Sequence, residues 1–257
     1  MTSTMAPRLA LSIVSHGQGH LIRPLLDDLI AIREQIAEVL VTLNIPEDEA
    51  FLEGFRDRLP IRVRRNDRRQ GFGMNHNAAF SESTSPFFVV VNPDIRLPNF
   101  AMDELLSNAA NPCVGVAAPI VHASNGQLQD SARRFPTLSR LIRRKMGGRI
   151  SPDYAIGQQP LDVDWVAGMF MVFRRDVYSS IGGFDDRYFM YFEDVDLCYR
   201  LHSTGLRVRL VPQARVVHDA QRASRRKLQH FLWHVSSACR YLRTVGRLPR
   251  GSLSGNS

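Results

Sequence analysis

Residues 86–91, Pro-Phe-Phe-Val-Val-Val, form an unbroken apolar run that stops at Asn92-Pro93-Asp94. A short, fully apolar run bounded by turn residues reads as a strand buried on both faces, the hallmark of a sheet covered by helices on either side. The upstream pattern agrees. Residues 8–15, RLALSIVS, read as a strand, LIRPLLDDLIAIREQI from Leu21 as a helix, and residues 37–44 and 61–66 as two more strands. HNAAFSES, 76–83, reads as a short helix. Strand, helix, strand, strand, helix, strand predicts an α/β fold with a mostly parallel sheet. Ligands of such sheets sit beyond the carboxyl ends of the strands. Ser15 to Gly19, Asn44, Asn66 and Asn92 to Asp94 are therefore the first candidates.

The second half continues with VGVAAPIV at 114–121 and DWVAGMFMVF at 164–173 as further strands, separated by a basic loop. Arg174 to Ser180 reads as a short helix and Glu193 to Thr204 as a longer one that stops at Gly205. LRVRLVP and then Val216-Val217-His218 form the last strand. From Ser224 onward, Leu228, Phe231, Leu232, Val235, Ala238, Cys239 and Leu242 recur at helical spacing, predicting an amphipathic helix with a basic opposite face. The final GSLSGNS is expected to be disordered.

Composition excludes several classes. With 44% hydrophobic and 23% charged residues the 257-residue chain is neither fibrous nor wholly disordered. No internal repeat and no apolar stretch of membrane-spanning length is present in the sequence. The opening residues lack the pattern of a secretory signal, and the three cysteines are far apart, so a cytoplasmic location with reduced thiols is expected. Charge is unevenly placed: eight of the 33 basic side chains and none of the 25 acidic ones follow Gln221, leaving residues 1–221 neutral. Such a tail either meets an anionic partner or is a solvated helix face.

Three strings could carry chemistry. VVVNPDI, 89–95, delivers Asn92 and Asp94 to a strand end, where a carboxylate can help to hold a divalent cation on a substrate diphosphate, although Asn-Pro-Asp is also a common turn. GGFDDRYFMYFEDVDLCYR, 182–200, sets five carboxylates among aromatic residues, a setting that raises carboxyl pKa values and suits a general base. Acids opening the helix at Glu193 would equally suit its dipole. RNDRRQGFGMNHNAAF, 65–80, offers Gly71 and Gly73 for close backbone approach and Asn75, His76 and Asn77 as donors at a helix start. His218 closes a strand, where a histidine is a structural residue unless other ligands converge on it; His16 and His20 flank a glycine-containing loop.

In order and spacing these strings resemble the inverting nucleotide-sugar glycosyltransferases of family 2, over about residues 8–245, and the bacterial rhamnosyltransferase-like subgroup in particular, with QDSARRFPTLSRLIRR at 129–144 similar to its donor and acceptor loop. The resemblance implies a glycosyltransferase A fold: α/β, a Rossmann-like, mostly parallel mixed sheet flanked by helices, with a C-terminal amphipathic helix. It implies one transferase domain over 1–221, with 8–97 as the nucleotide-sugar half and 98–221 as the acceptor half, followed by the basic helix and tail at 222–257.

By the same resemblance Asp194 is the catalytic base, and Asp94 and His218 hold Mg²⁺ or Mn²⁺. Ser15, Asn44, Asn66, Gly71, Phe72, Gly73, Asn77, Asn92 and Asp94 bind the nucleotide sugar, and Trp165, Gly168, Gly183, Phe184, Asp185, Glu193 and Asp194 border the acceptor. Many members carry Asp-x-Asp where this chain has Asn92-Pro93-Asp94, leaving one carboxylate for the metal; LNIPEDE replaces the usual base-gripping string, with Asn44, Glu47 or Asp48 as substitutes.

The activity implied is transfer of rhamnose or another hexose from a dTDP- or UDP-linked donor to an acceptor hydroxyl in lipopolysaccharide O-antigen or another cell-surface polysaccharide. The acceptor would be polyprenyl-diphosphate-linked, the basic helix would touch anionic membrane at the inner face, and nucleic acid is not expected as a partner. The alternative is a catalytically inactive glycan- or nucleotide-sugar-binding relative.

Overall fold

A computed structural model describes residues 8–137, 140, 152–218 and 227–245. The disordered end expected at 251–257, most of the loop around 138–151 and the arginines at 222, 225, 226, 247 and 250 lie outside the described residues.

The buried run forms β4, Phe87–Val91, beside β1, Leu9–Ser15, with β2, Ile36–Leu43, and β3, Ile61–Arg65, following in parallel register. Side chains alternate as strand geometry requires. Phe87, Val89 and Val91 enter one apolar cluster with Leu9, Leu11 and Ile13, and Phe88 and Val90 enter another across the sheet with Ala10. Two helices serve this half: α1, Gly19–Ile30, which tolerates Pro24, and α2, Phe72–Glu82, which begins four residues before the sequence pattern placed it. Between β1 and β4 the strand order reverses direction, so the crevice at their carboxyl ends is a ligand site by topology.

Beyond β4 lie β5, Ile95–Arg96; α3, Met102–Ala110; β6, Val114–Ala123; β7, Ala132–Arg133; and β8, Leu161–Val163. The stretch 164–173 does not form one strand. It breaks into β9, Trp165–Val166, which pairs with β7, and β10, Phe170–Arg174, which runs antiparallel between β4 and β6. Ala167 to Met169, the break, face the crevice. Next come α4, Arg175–Ser180; α5, Glu193–Ser203; β11, Arg207–His218; and α6, Lys227–Val245. The sheet order is β3-β2-β1-β4-β10-β6-β11-β5, with β8 on β11. No helix of the described residues is long and apolar enough to cross a membrane.

The C-terminal helix corrects an expectation. Ala238 and Leu242 pack inward as the apolar spacing requires, but Phe231, Leu232, Val235 and Cys239 are exposed. The inward face is completed by Ser237 and Tyr241, which are buried. The surface it meets is largely aromatic, Tyr188, Phe192 and Tyr199, and Ala238, Tyr241, Leu242 and Val245 pack against it.

Candidate functional site

A cavity of about 680 Å³ opens at the carboxyl ends of β1 and β4. Its wall contains Asn44, Phe72, Asn92, Asp94, Gly168, Glu193 and Asp194 of the residues singled out from sequence. It also contains Arg69 and Gln70 of the glycine-bearing loop, Met169, Met190 and Tyr191 of the downstream strings, and His230, which no sequence signal marked. His230 is the notable omission, since it comes from α6, beyond the segment expected to hold the site.

At one part of the wall Asp94 Oδ2 lies 3.1 Å from His218 Nε2. The other imidazole nitrogen, Nδ1, lies 3.0 Å from Gln129 Oε1, and the Gln129 amide also donates weakly to the His218 carbonyl at 3.4 Å. The far oxygen of the carboxylate, Asp94 Oδ1, is buried with no hydrogen-bond partner among the described residues. A carboxylate with one unpaired oxygen beside an imidazole whose opposite nitrogen is already held suits Mg²⁺ or Mn²⁺, which take few protein ligands and complete their shell with phosphate and water. Groups of three or more His, Cys, Asp or Glu side chains placed to hold a metal ion do not occur among the described residues.

Elsewhere on the wall α5 opens with Glu193 and Asp194. The two residues before it, Tyr191 at φ 70° and Phe192 at φ 66°, are left-handed, a conformation costing roughly 1–3 kcal/mol in non-glycine residues and held only where surroundings impose it. Asp194 Oδ2 accepts from the Gly168 amide at 3.0 Å and Oδ1 from the Val195 amide at 2.8 Å. Burial raises the Asp194 pKa and the two amides pull it back. Glu193 is 6% exposed, its Oε2 has no partner among the described residues, and burial together with the Asp194 charge pushes its pKa well up. Both carboxyls are pushed upward, Glu193 further because it lacks the two amide donors that Asp194 has, so Glu193 holds its proton the more tightly of the two.

Polar atoms left unpaired in burial cost about 1–3 kcal/mol each. Gln70 Oε1, His76 Nε2, Asp94 Oδ1 and Glu193 Oε2 are all in this state, and all four residues line the cavity. His76 bonds Ser12 Oγ through Nδ1 at 2.8 Å, and burial lowers its pKa to about 3, so it is a neutral group.

Several sequence-chosen residues support this wall instead of forming it. Asn44 faces the cavity, but its amide donates to the Gln70 carbonyl and accepts from Gln70 N and Asn66 Nδ2, bracing the loop. Asn66 Nδ2 also donates to Asn75 Oδ1. Ser15 is fully buried and accepts from the Gln18 amide.

Gly71 and Gly73 do allow close approach, but to the protein itself: a Cβ on Gly71 would stand 2.7 Å from the Phe189 carbonyl oxygen, and one on Gly73 2.5 Å from Phe184 Cβ. Asn77 commits its amide to Phe184 N, Phe184 O, Asp186 and Tyr178. Gly183, at φ 65°, leaves no room for a Cβ against Asn77 Oδ1. None of Ser15, Asn66, Gly71, Gly73, Asn77 or Gly183 lines the cavity among the described residues.

The same is true of three residues expected at the acceptor. Phe184 is buried in the core, Asp185 is engaged by the exposed Arg187, and Trp165 donates its indole N–H to the Arg134 carbonyl beneath the Arg133 guanidinium. His218 stands behind Asp94 and is not itself on the wall. Sequence position does not distinguish a small or polar residue that lines a cavity, as Asp94 and Asp194 do, from one that meets a neighbouring loop.

Residues 7–234 match the family described as "Glycosyltransferase like family 2". The N-acetylglucosaminyl-diphospho-decaprenol L-rhamnosyltransferase of Mycobacterium tuberculosis is 34% identical over 168 residues, covering 60% of this chain and 54% of that protein. The chain thus spans about half the length of that relative. Rhamnosyltransferase WbbL of Escherichia coli K12 is 30% identical over 243 residues, covering 90% of each. Among solved structures, GalNAc-T7 with UDP, GalNAc and Mn²⁺ superposes with a TM-score of 0.64 at 16% identity, over 83% of this chain and 43% of that one. That likeness concerns the fold.

Proposed function

The chain belongs to glycosyltransferase-like family 2, and from that premise we propose that it is an inverting transferase moving rhamnose or a related hexose from a dTDP- or UDP-linked donor to a polyprenyl-diphosphate-linked glycan during cell-surface polysaccharide synthesis. The observation that carries the reading is that one cavity holds both the Asp94 carboxylate, with its unpaired oxygen, and the half-buried Asp194. A transferase of this kind needs a leaving-group side and a base side on one sugar.

Asp194 serves as general base. It accepts the proton of the acceptor hydroxyl as that oxygen attacks the anomeric carbon, and attack opposite the departing nucleotide inverts the configuration. A positioned base contributes about 10²–10⁴-fold. Glu193, holding its proton, offers a hydrogen bond without adding a second negative charge beside Asp194. Asn92 and the amide-braced loop at Gln70 line the donor side. Asp94 and His218 would hold Mg²⁺ or Mn²⁺, which when bound supplies positive charge to the diphosphate leaving group.

A lipid-linked acceptor places the reaction at a membrane surface, and α6 offers a fitting face: Phe231, Leu232 and Val235 are 47%, 58% and 41% exposed on a segment that carries eight basic and no acidic residues. The proposed setting is the inner face of the cytoplasmic membrane.

The test is a thermal-shift screen of dTDP- and UDP-sugars with and without Mn²⁺ or Mg²⁺, since a ligand of the folded state raises Tm by mass action, followed by transfer to a polyprenyl-diphosphate acceptor. A metal-dependent rise with one donor and subsequent transfer supports the reading. No rise with any nucleotide sugar, in the presence of either metal, refutes it.

A further inference from the structure

Two adjacent left-handed residues immediately before the carboxylate pair raise the question of what holds them there. Tyr191 and Phe192 are neither glycine nor asparagine, and both side chains meet α6. The Tyr191 hydroxyl shares a 2.6 Å hydrogen bond with His230 Nδ1. Ser237 Oγ donates to the Met190 carbonyl at 2.9 Å, fixing the peptide just before the turn. The Phe192 ring packs against His234 at 5.2 Å and Tyr241 at 5.7 Å between centroids.

The same helix reaches the donor side. Trp233 packs on Phe189 at 4.7 Å, and the Arg69 guanidinium lies 5.1 Å from the centre of each ring. Phe189 in turn accepts the Phe72 amide through its carbonyl at 2.9 Å. The loop bearing Arg69 and the turn that leads into Asp194 are thus fastened to one helix. The family match ends at residue 234, so Ser237 and Tyr241 lie beyond it.

We infer that α6 is a positioning element of the reaction centre: through His230 and Ser237 it holds Met190 to Phe192 in the strained turn that directs Glu193 and Asp194 into the cavity. The inference rests on the transferase reading only for what Asp194 does there. Without the helix contacts the turn relaxes towards ordinary right-handed or extended backbone, and the first turn of α5 rotates with it. His230 and Ser237 touch no reacting atom in this scheme; they act through the backbone of residues 190–192.

The experiment uses the full chain with Ser237→Ala, Tyr191→Phe and His230→Leu, each checked for wild-type Tm. Ser237 is the cleanest probe because it does not line the cavity. Hydrogen exchange of the amides from 189 to 196 is expected to accelerate roughly five- to tenfold, the loss of one hydrogen bond, while β1 and β4 keep their protection. With a dTDP- or UDP-sugar as donor, kcat is expected to fall by about the same factor and donor KM to stay within about twofold.

His230→Gln, which can still bond the phenol, should recover most of the loss. Tyr191→Phe combined with His230→Leu should cost no more than either alone, since both break one bond. Unchanged exchange at 189–196 in folded Ser237→Ala and Tyr191→Phe overturns the inference, as does a change confined to KM. Exchange needs no substrate, so accelerated exchange in a chain that transfers no sugar would leave the clamp standing and remove the transferase reading.

Discussion

The backbone amide of Gly168 donates to Oδ2 of Asp194 at 3.0 Å, joining the break between β9 and β10 to the first turn of α5. The break and the helix start are 26 residues apart in sequence and meet through this bond. A Cβ on Gly168 would lie 3.2 Å from Phe72 Cε1 and 3.7 Å from Asp194 Cβ, so the glycine lets an aromatic wall, an amide and a carboxylate share one corner of the cavity.

Asp194→Asn keeps the shape of that corner and removes the base. It is expected to lower kcat by about 10²–10⁴-fold while donor affinity by calorimetry stays within about twofold. In the unmodified enzyme Asp194 must be ionised to accept a proton, and burial raises its pKa, so kcat should fall with decreasing pH on a limb above the ordinary aspartate range. A profile flat to about pH 4, or full activity in the Asp194→Asn variant, would remove Asp194 from the role.

His76 gives the fold a pH dependence of its own. Its folded pKa, about 3, lies below the ordinary 6.5 because burial disfavours the charged ring. Between those values the unfolded chain binds the extra proton, so stability is fully present above about 6.5 and is lost as pH falls towards 3, at up to about 1.4 kcal/mol per pH unit. His76→Gln is expected to flatten this acid-side slope by one proton's worth, measured by urea unfolding at a series of pH values. Equal slopes for the two proteins would show that the imidazole is protonated in the folded state.

The pair behind the donor side predicts graded metal behaviour. Mn²⁺ affinity, titrated calorimetrically in the presence of dTDP or UDP, should be abolished by Asp94→Asn and reduced about 10–100-fold by Gln129→Leu, the range found when a partner orienting a ligating histidine is removed. Gln129 meets His218 through both polar atoms of its side chain. If Gln129→Leu binds Mn²⁺ as the unmodified chain does while Asp94→Asn does not, the histidine is not held as a ligand by that contact.

Much of this was legible in the sequence, for physical reasons that differ from residue to residue. β4 announced itself because a strand buried on both faces has no polar position, and Asp94 followed because a strand end in such a sheet faces the crevice. The five carboxylates among aromatic residues at 182–200 marked a segment able to desolvate an acid, and the family resemblance singled out Asp194 within it. Gly71, Gly73, Asn77 and Gly183 carried the marks of ligand contact, yet each meets another segment of the same chain; packing of residue 77 on residue 184 is a tertiary fact with no local signal. The split of residues 164–173 was likewise hidden, since Ala167 to Met169 are apolar and the interruption comes from partners distant in sequence: β9 pairs with β7, β10 with β4 and β6, and the Gly168 amide turns to Asp194. His230 was missed because helical periodicity ranks apolar residues, and an imidazole bonded to a tyrosine hydroxyl does not register as part of a packed face.

The outward face of α6 predicts how the chain meets lipid. Phe231 and Leu232 are exposed neighbours on a segment whose charge is entirely positive, a combination that binds an anionic interface through apolar burial and through about 1 kcal/mol per basic residue near the surface. The full chain is expected to sediment with phosphatidylglycerol vesicles, to ignore phosphatidylcholine vesicles, and to be released as salt shortens the Debye length below about 8 Å. Phe231→Ser with Leu232→Ser leaves every charge in place and should lose most of the binding, whereas Arg225→Gln with Arg226→Gln should weaken it by about tenfold or more. Neither pair alters His230 or Ser237, which hold residues 190–192, so transfer to a short water-soluble acceptor should continue in both. If the serine pair sediments as the unmodified chain does, the apolar face is not what enters the interface, and α6 serves the cavity alone.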